Sequence, residues 1–250
     1  TRLAEKEYFW FQLSSQDAVI RGRKSFGFMR LNLSQLLELS GILCQIIDFR
    51  SRFTSTHSSG VAAASERMAG LLGYSAQESR MMKLAGYLHD LGKLAVPPEI
   101  IDKPSSLTPA EYVIIKKHPY LTYRMLGMIE NLEVINLWAS LHHERVDGSG
   151  YPFHVGGEEL YLGSRIIAVT DVFVALTENR PYRKAMEAHT AVKVLKEMSA
   201  SARIDGSVVE VLSSNFDEIN GIRRQEQEQA FEHYIDFERN IYTGNSIRAN

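Results

Sequence analysis

QESRMMKLAGYLHDLGK, residues 77–93, is the stretch that decides the fold. Its apolar side chains Met81, Leu84, Ala85 and Leu88 recur three and four positions apart, the period of a helix with one buried face. The stripe runs directly into the pair His89-Asp90, and Gly92 follows as the expected helix terminator. Similar stripes occupy 33–50 (Leu33, Leu36, Leu37, Ile42, Leu43, Ile46), 59–72, 131–142, 163–177 and 188–198. No segment keeps up a period-two alternation, and a short hairpin within 151–163 is the one exception expected. The fold class read from this pattern is all-α. Breakers cluster in 92–109 and 147–157, beside the chemically interesting residues, which places a site at helix ends and loop mouths.

Outward from His89-Asp90, the chain holds His57, His118, His142-His143 and Asp171. Each has an ordinary reading alone: His57 as a helix-start residue, His118 as a boundary residue before Pro119, Asp147–Gly150 as a tight turn. Asp171 differs, because it interrupts the apolar run RIIAVTDVFVAL, where a charge is costly unless paired or metal-bound. Together these imidazoles and carboxylates suit borderline divalent metals such as Fe, Mn, Ni, Co or Zn, and seven ligands are too many for one ion. Adjacent helical side chains diverge by ~100°. His89 and Asp90 therefore share an ion only near a helix terminus, or Asp90 bridges two. Paired ions typically cleave phosphate esters. Glu144 reads as a partner orienting a ligand histidine or as a surface residue.

The chain of 250 residues carries 28 Lys+Arg against 30 Asp+Glu, a balance that gives no global attraction to nucleic acid or to an anionic membrane. Any anionic substrate has to be held locally. Cys44 is the single cysteine, which excludes an intrachain disulfide and fits a reducing compartment. No apolar run reaches the ~20 residues of a membrane span. The sequence begins with Thr1 and lacks the layout of a signal peptide, so it is expected to be a piece of a longer protein.

The order His57, HDLGK at 89–93, His118-Pro119, HHERVDGSGYP at 142–152, Asp171 and Arg180-Pro181-Tyr182-Arg183 resembles the HD-GYP subgroup of the HD-domain phosphohydrolases, over about residues 31–220. The resemblance implies an HD-domain helical bundle with a metal centre at helix ends and a Gly-Tyr-Pro loop. It implies a cytoplasmic, metal-dependent phosphodiesterase acting on a bacterial cyclic dinucleotide, cyclic di-GMP first and 3′,3′-cyclic GMP-AMP second. One metal would take His57, His89, Asp90 and Asp171, and the other His118, His142, His143 and the shared Asp90. Phe53 stands where some members carry a glutamate for a third ion, so two divalent ions, Fe or Mn before Ni, Co or Zn, are expected. Lys93 and Asp90 are the catalytic candidates. Lys93, Tyr151, Arg180 and Arg183 are the substrate-binding ones, with the arginines on the second phosphate. Residues 1–30 are expected as a linker or docking helix left from a longer protein, 31–222 as the catalytic domain and 223–250 as a solvated helical extension and tail. The expected partners are the cyclic dinucleotide, a regulatory domain preceding this chain and a second copy joined through the N-terminal helix. Rival readings are a catalytically weak signalling module that binds proteins, an HD-type di-iron oxygenase and a mononucleotide nucleotidase.

Overall fold

The computed structural model describes residues 30–49, 56–179 and 184–242, and all regular structure among them is helical. In chain order the helices are α1 (Leu33–Phe49), α2 (His57–Leu71), α3 (Ala76–Leu88), α4 (Pro98–Ile101), α5 (Pro109–Ile115) and α6 (His118–Leu126). There follow α7 (Glu133–Ser140), α8 (Leu162–Thr177), α9 (Ala188–Ala200), α10 (Gly206–Ser214) and α11 (Phe216–Tyr242), with 3-10 turns at Leu91–Ala95 and Gly157–Glu159. The readings placed on residues 1–29, Phe53, Arg180, Arg183 and the tail at 243–250 lie outside the described residues.

The central element is α2, which packs against α1, α3, α8 and α11. Its small side chains explain this. Gly60, Ala62, Ala64 and Ser65 are buried along its length and let neighbouring backbones approach closely. Larger apolar side chains, including Met68, Met82, Leu84, Ile167 and Phe173, then fill the space between helices. Burying each such side chain contributes roughly 1.5–3 kcal/mol. Two local devices set the register of the site-bearing helices. Ser75 and Glu78 form a reciprocal capping box at the start of α3. Asp48, near the end of α1, accepts from Ser58 N at 2.9 Å and Ser58 Oγ at 2.6 Å, and so caps the first turn of α2 from another helix. Burial pushes the Asp48 carboxyl up to about 7.

These helices bring their ends to one place. His57 opens α2, His89 and Asp90 follow α3, His118 opens α6 and His142-His143 follow α7, while Asp171 comes from within α8. The hairpin expected within 151–163 does not form; residues 151–161 are irregular apart from the Gly157–Glu159 turn, and α8 begins at Leu162. Gly92 does not terminate a helix with a left-handed residue either, since it is not among the positive-φ glycines and sits inside the 3-10 turn. Its small size answers a close approach: an added Cβ would lie 2.0 Å from His118 O and 2.8 Å from Thr122 N. Gly92 N also donates to Thr122 Oγ1, which donates in turn to His89 O. The turn after α3 is thereby locked onto α6. The long α11 runs without a break through residues 222–223 and buries Ile219, Arg223 and Ala230 against the body. No helix among the described residues is long and apolar enough to cross a membrane.

Replacing Gly92 by Ala should force α6 away from the turn and cost roughly 1–3 kcal/mol, the usual cost of overpacking. Urea denaturation checks this; a midpoint equal to wild type would show that the approach is not tight.

Candidate metal centre

The seven residues singled out in the sequence converge. Nitrogen and oxygen atoms of His57, His89 and Asp171 lie within 4.8 Å of one another, as do those of His118, His142 and His143, and those of His89, Asp90 and His142. Asp90 joins the two outer groups. Its Oδ2 lies 3.2 Å from His89 Nε2, and its Oδ1 lies 3.2 Å from His118 Nε2. One carboxylate therefore presents an oxygen to each half of the site. On the far side, His57 Nε2 is 3.0 Å from Asp171 Oδ1, and His118 Nε2 is 3.3 Å from His142 Nε2.

Three histidines are oriented by the same local device. Nδ1 of His89 bonds Gly86 O at 2.8 Å, Nδ1 of His118 bonds Ile115 O at 2.7 Å, and Nδ1 of His142 bonds Ala139 O at 2.6 Å. A carbonyl accepts only, so each Nδ1 carries the hydrogen and Nε2 faces inward, where a ring without a proton on that nitrogen presents a lone pair. Those lone pairs meet other acceptors. His89 Nε2 is fully buried and has no hydrogen-bond partner among the described residues, although Asp90 is beside it. Lone pairs facing lone pairs in a buried place require a positive charge between them. Divalent cations fit this donor set.

Without such an ion, protons and ammonium groups supply part of the charge. Burial opposes protonation of His57, but Glu178 and Asp171 on its two sides outweigh it and push the imidazole up to about 10. Burial and then the neighbouring His143 hold His142 well below the usual histidine range. Burial and then His118 hold His143 at about 3. His142 and His143 are thus neutral at pH 7, the form that ligates metal. Asp90 stays ionised despite burial because His89 and Lys93 face it.

Lys93 is drawn onto the centre itself, with Nζ 2.5 Å from Asp90 Oδ2. Tyr151 reaches the centre's edge, its ring 4.9 Å from that of His143, and Lys116 Nζ lies 4.7 Å from the Tyr151 ring centroid. The Tyr151–Pro152 peptide is cis. Glu144 is buried and takes three amides of the following loop, accepting from Phe153 N at 2.6 Å, His154 N at 3.1 Å and Val155 N at 3.2 Å. It holds the Gly-Tyr-Pro loop, where the sequence suggested a histidine partner or a surface position. Two residues at the centre were missed in the sequence. Glu178 contacts His57 Nδ1 with both oxygens, at 3.1 and 3.2 Å, and Gln227 Nε2 donates to Glu178 Oε2 at 3.3 Å. The one available signal for Glu178 was an acid at the end of the same apolar helix that carries Asp171.

Residues 41–208 match the family model described as HD domain, and the chain belongs to the HD-domain family. Its His-Asp pair and Gly150-Tyr151-Pro152 loop give it the HD-GYP form. It is 34% identical over 217 residues to the 3′3′-cGAMP-specific phosphodiesterase 1 of Vibrio cholerae, covering 85% of this chain and 50% of that protein. It is 39% identical over 155 residues to the cyclic di-GMP phosphodiesterase response regulator RpfG of Xanthomonas campestris, covering 61% of this chain and 41% of that one. The chain thus spans half or less of the length of these relatives. Among solved structures it shares the fold of the HD domain of the Listeria monocytogenes phosphodiesterase PgpH in complex with cyclic-di-AMP. That match has a TM-score of 0.52 at 18% identity and covers 77% of this chain and 97% of that one. It also shares the fold of Bd1817, described as an HDG"Y"P protein, from Bdellovibrio bacteriovorus, with a TM-score of 0.53 at 16% identity over 74% of this chain and 65% of that one.

Glu144→Ala removes the acceptor for three amides, and hydrogen bonds to a charged group are worth about 1.5–3 kcal/mol each. The amides of residues 153–155 should then exchange at least about 10-fold faster, while bound metal stays at the wild-type level. Unchanged exchange would mean that the loop is held by other contacts.

Proposed function

We propose that this chain is the catalytic part of a two-metal phosphodiesterase that opens a cyclic dinucleotide, cyclic di-GMP first, to the linear dinucleotide or mononucleotides. The observation that carries this is Asp90, buried with one oxygen toward each histidine set. A shared carboxylate between two imidazole groups is the donor arrangement for paired ions. The relatives named as cyclic-dinucleotide phosphodiesterases support the same substrate class. A second reading, preference for 3′,3′-cyclic GMP-AMP, is favoured by the Vibrio relative, which matches over more of this chain.

His57, His89, Asp90 and Asp171 would hold one ion, and His118, His142, His143 and Asp90 the other. Iron or manganese is the expected metal, with nickel, cobalt or zinc compatible with the same ligands. When bound, such ions neutralise non-bridging phosphate oxygens and acidify water enough for it to act as a nucleophile near neutral pH. The protein's own groups do the rest. Burial opposes the charge on Lys93, but the Asp90 carboxylate outweighs it and keeps the ammonium, so its Nζ can contact a phosphate oxygen or hold a proton for the leaving ribose oxygen. Tyr151 and the loop anchored by Glu144 form the wall beside His143. Arg180 and Arg183, beyond the end of α8 in sequence, would clamp the second phosphate in fork geometry. A preceding regulatory domain, a cytoplasmic location and pairing of two copies through residues 1–30 belong to the same proposal.

The test is chromatography of products from cyclic di-GMP and 3′,3′-cyclic GMP-AMP with protein loaded with Mn²⁺ or Fe²⁺. Hydrolysis of at least one is expected. No cleavage of either would favour the binding-module reading, and oxygen consumption on an organic substrate instead would favour the oxygenase. Asp90→Ala should lose both metal and hydrolysis with its helical circular dichroism intact; two retained ions would refute the shared carboxylate. Arg180→Ala or Arg183→Ala should leave metal content unchanged. Each should weaken turnover of the cyclic dinucleotide by about 10- to 150-fold, as expected for one charge-assisted bond. Bis(p-nitrophenyl) phosphate, which has no second phosphate, should be affected much less. Equal losses on both substrates would assign the arginines to the fold or the metal centre.

A further inference from the structure

His57 is held differently from three other histidines of the centre. His89, His118 and His142 each bond a carbonyl three residues back, so their orientation is set by their own turn of chain. His57 has its Nδ1 on Glu178, a residue 121 positions away at the end of α8. Glu178 is 9% exposed, and its Oε2 accepts from Gln227 of α11. The same Gln227 amide donates to Thr56 O at 3.2 Å, the carbonyl immediately before His57. Arg223 Nη1 donates to Gln227 Oε1, and Arg223 is itself buried with Nε and Nη2 on Asn220. The side chain of Gln227 lies against Gly60, one turn along α2 from His57. A Cβ on Gly60 would sit 2.8 Å from Gln227 Nε2 and 3.0 Å from its Cδ. Position 60 therefore has room for this glutamine only because it lacks a side chain.

We propose that Glu178 and Gln227 are positioning residues for His57, and that the seat of α11 on α2 thereby governs occupancy of the metal site to which His57 belongs. This rests on the reading of His57 as a metal ligand. A carboxylate on the outer nitrogen of a ligating histidine fixes its tautomer and raises its basicity, and losing such a partner typically costs about 10- to 100-fold in metal affinity. The other site draws His118 and His142 from turns fixed by their own carbonyls at Ile115 and Ala139, and α11 reaches it only indirectly, through Glu226 on Tyr87 of α3. The two sites should therefore respond separately: α11 is the element through which the His57 half can be loosened while the other half stays assembled.

Calorimetric titration of ion-free protein with Mn²⁺, backed by elemental analysis after gel filtration, tests this on the whole chain. Wild type should bind two ions. Glu178→Ala should weaken one site by about 10- to 100-fold and leave the other within about twofold. Glu178→Gln, which keeps an acceptor without the charge, should fall between. Gln227→Ala and Gly60→Ala, which release or displace the glutamine, should weaken the same site to a smaller degree. Circular dichroism melting separates this from a folding defect. Two ions bound with wild-type affinity in Glu178→Ala would overturn the proposal, as would an equal loss at both sites or a loss that follows the melting temperature. Wild type binding no ion, or only one, would overturn the reading of the metal centre itself.

Discussion

Asp90 is a buried carboxylate with an imidazole nitrogen 3.2 Å from each oxygen and an ammonium 2.5 Å from one of them. A carboxylate in such a place is stable only while positive charge surrounds it, and removing that charge leaves a buried ion unpaired, at a cost of several kcal/mol. The rest of the molecule can be read as the means of meeting that requirement. The turn after α3 must be held so that Asp90 faces inward, which Gly92 and Thr122 accomplish against α6. The histidines must arrive from four helix ends, which the small-residue face of α2 and the short loops around α6 and α7 allow.

The fold was legible because its helices carry apolar stripes, and the residues proposed as ligands, Asp171 apart, stand at helix ends. Asp171 was readable alone, as a carboxylate in the apolar stretch that became α8. His57 and His118 could be grouped with the others only in company, since nothing local separates a candidate ligand from a helix-start residue. The hairpin expected within 151–163 failed for a definite reason. Tyr151, Phe153 and Val155 alternate as strand residues do, yet the amides that a strand would pair are taken by the carboxylate of Glu144. Gly92 was rightly singled out as a position where the chain turns. The constraint there is the approach of the His118 carbonyl, which depends on a helix still to come in the sequence.

Glu178 and Gln227 were not legible because their roles exist only in tertiary contact. Glu178 lies seven residues after Asp171 on the same chain segment, but its partner is 121 positions away, and Gln227 meets it across a further 49. The polar face of α11 looked solvated in sequence, and part of it is a seam of amide and guanidinium groups against α2. Polar residues between helices carry position more than stability, because each bond fixes a geometry that apolar packing leaves free. That is the sense in which His57 is held by a distant helix, whereas His118 and His142 are held by their own turns.

The most direct test of the account is anomalous diffraction from crystals of the chain grown with Mn²⁺, with data collected at the manganese edge. The account predicts two anomalous peaks, one beside each oxygen of Asp90, the first near His57, His89 and Asp171 and the second near His118, His142 and His143. A single peak, or two peaks with Asp90 on only one of them, would contradict it.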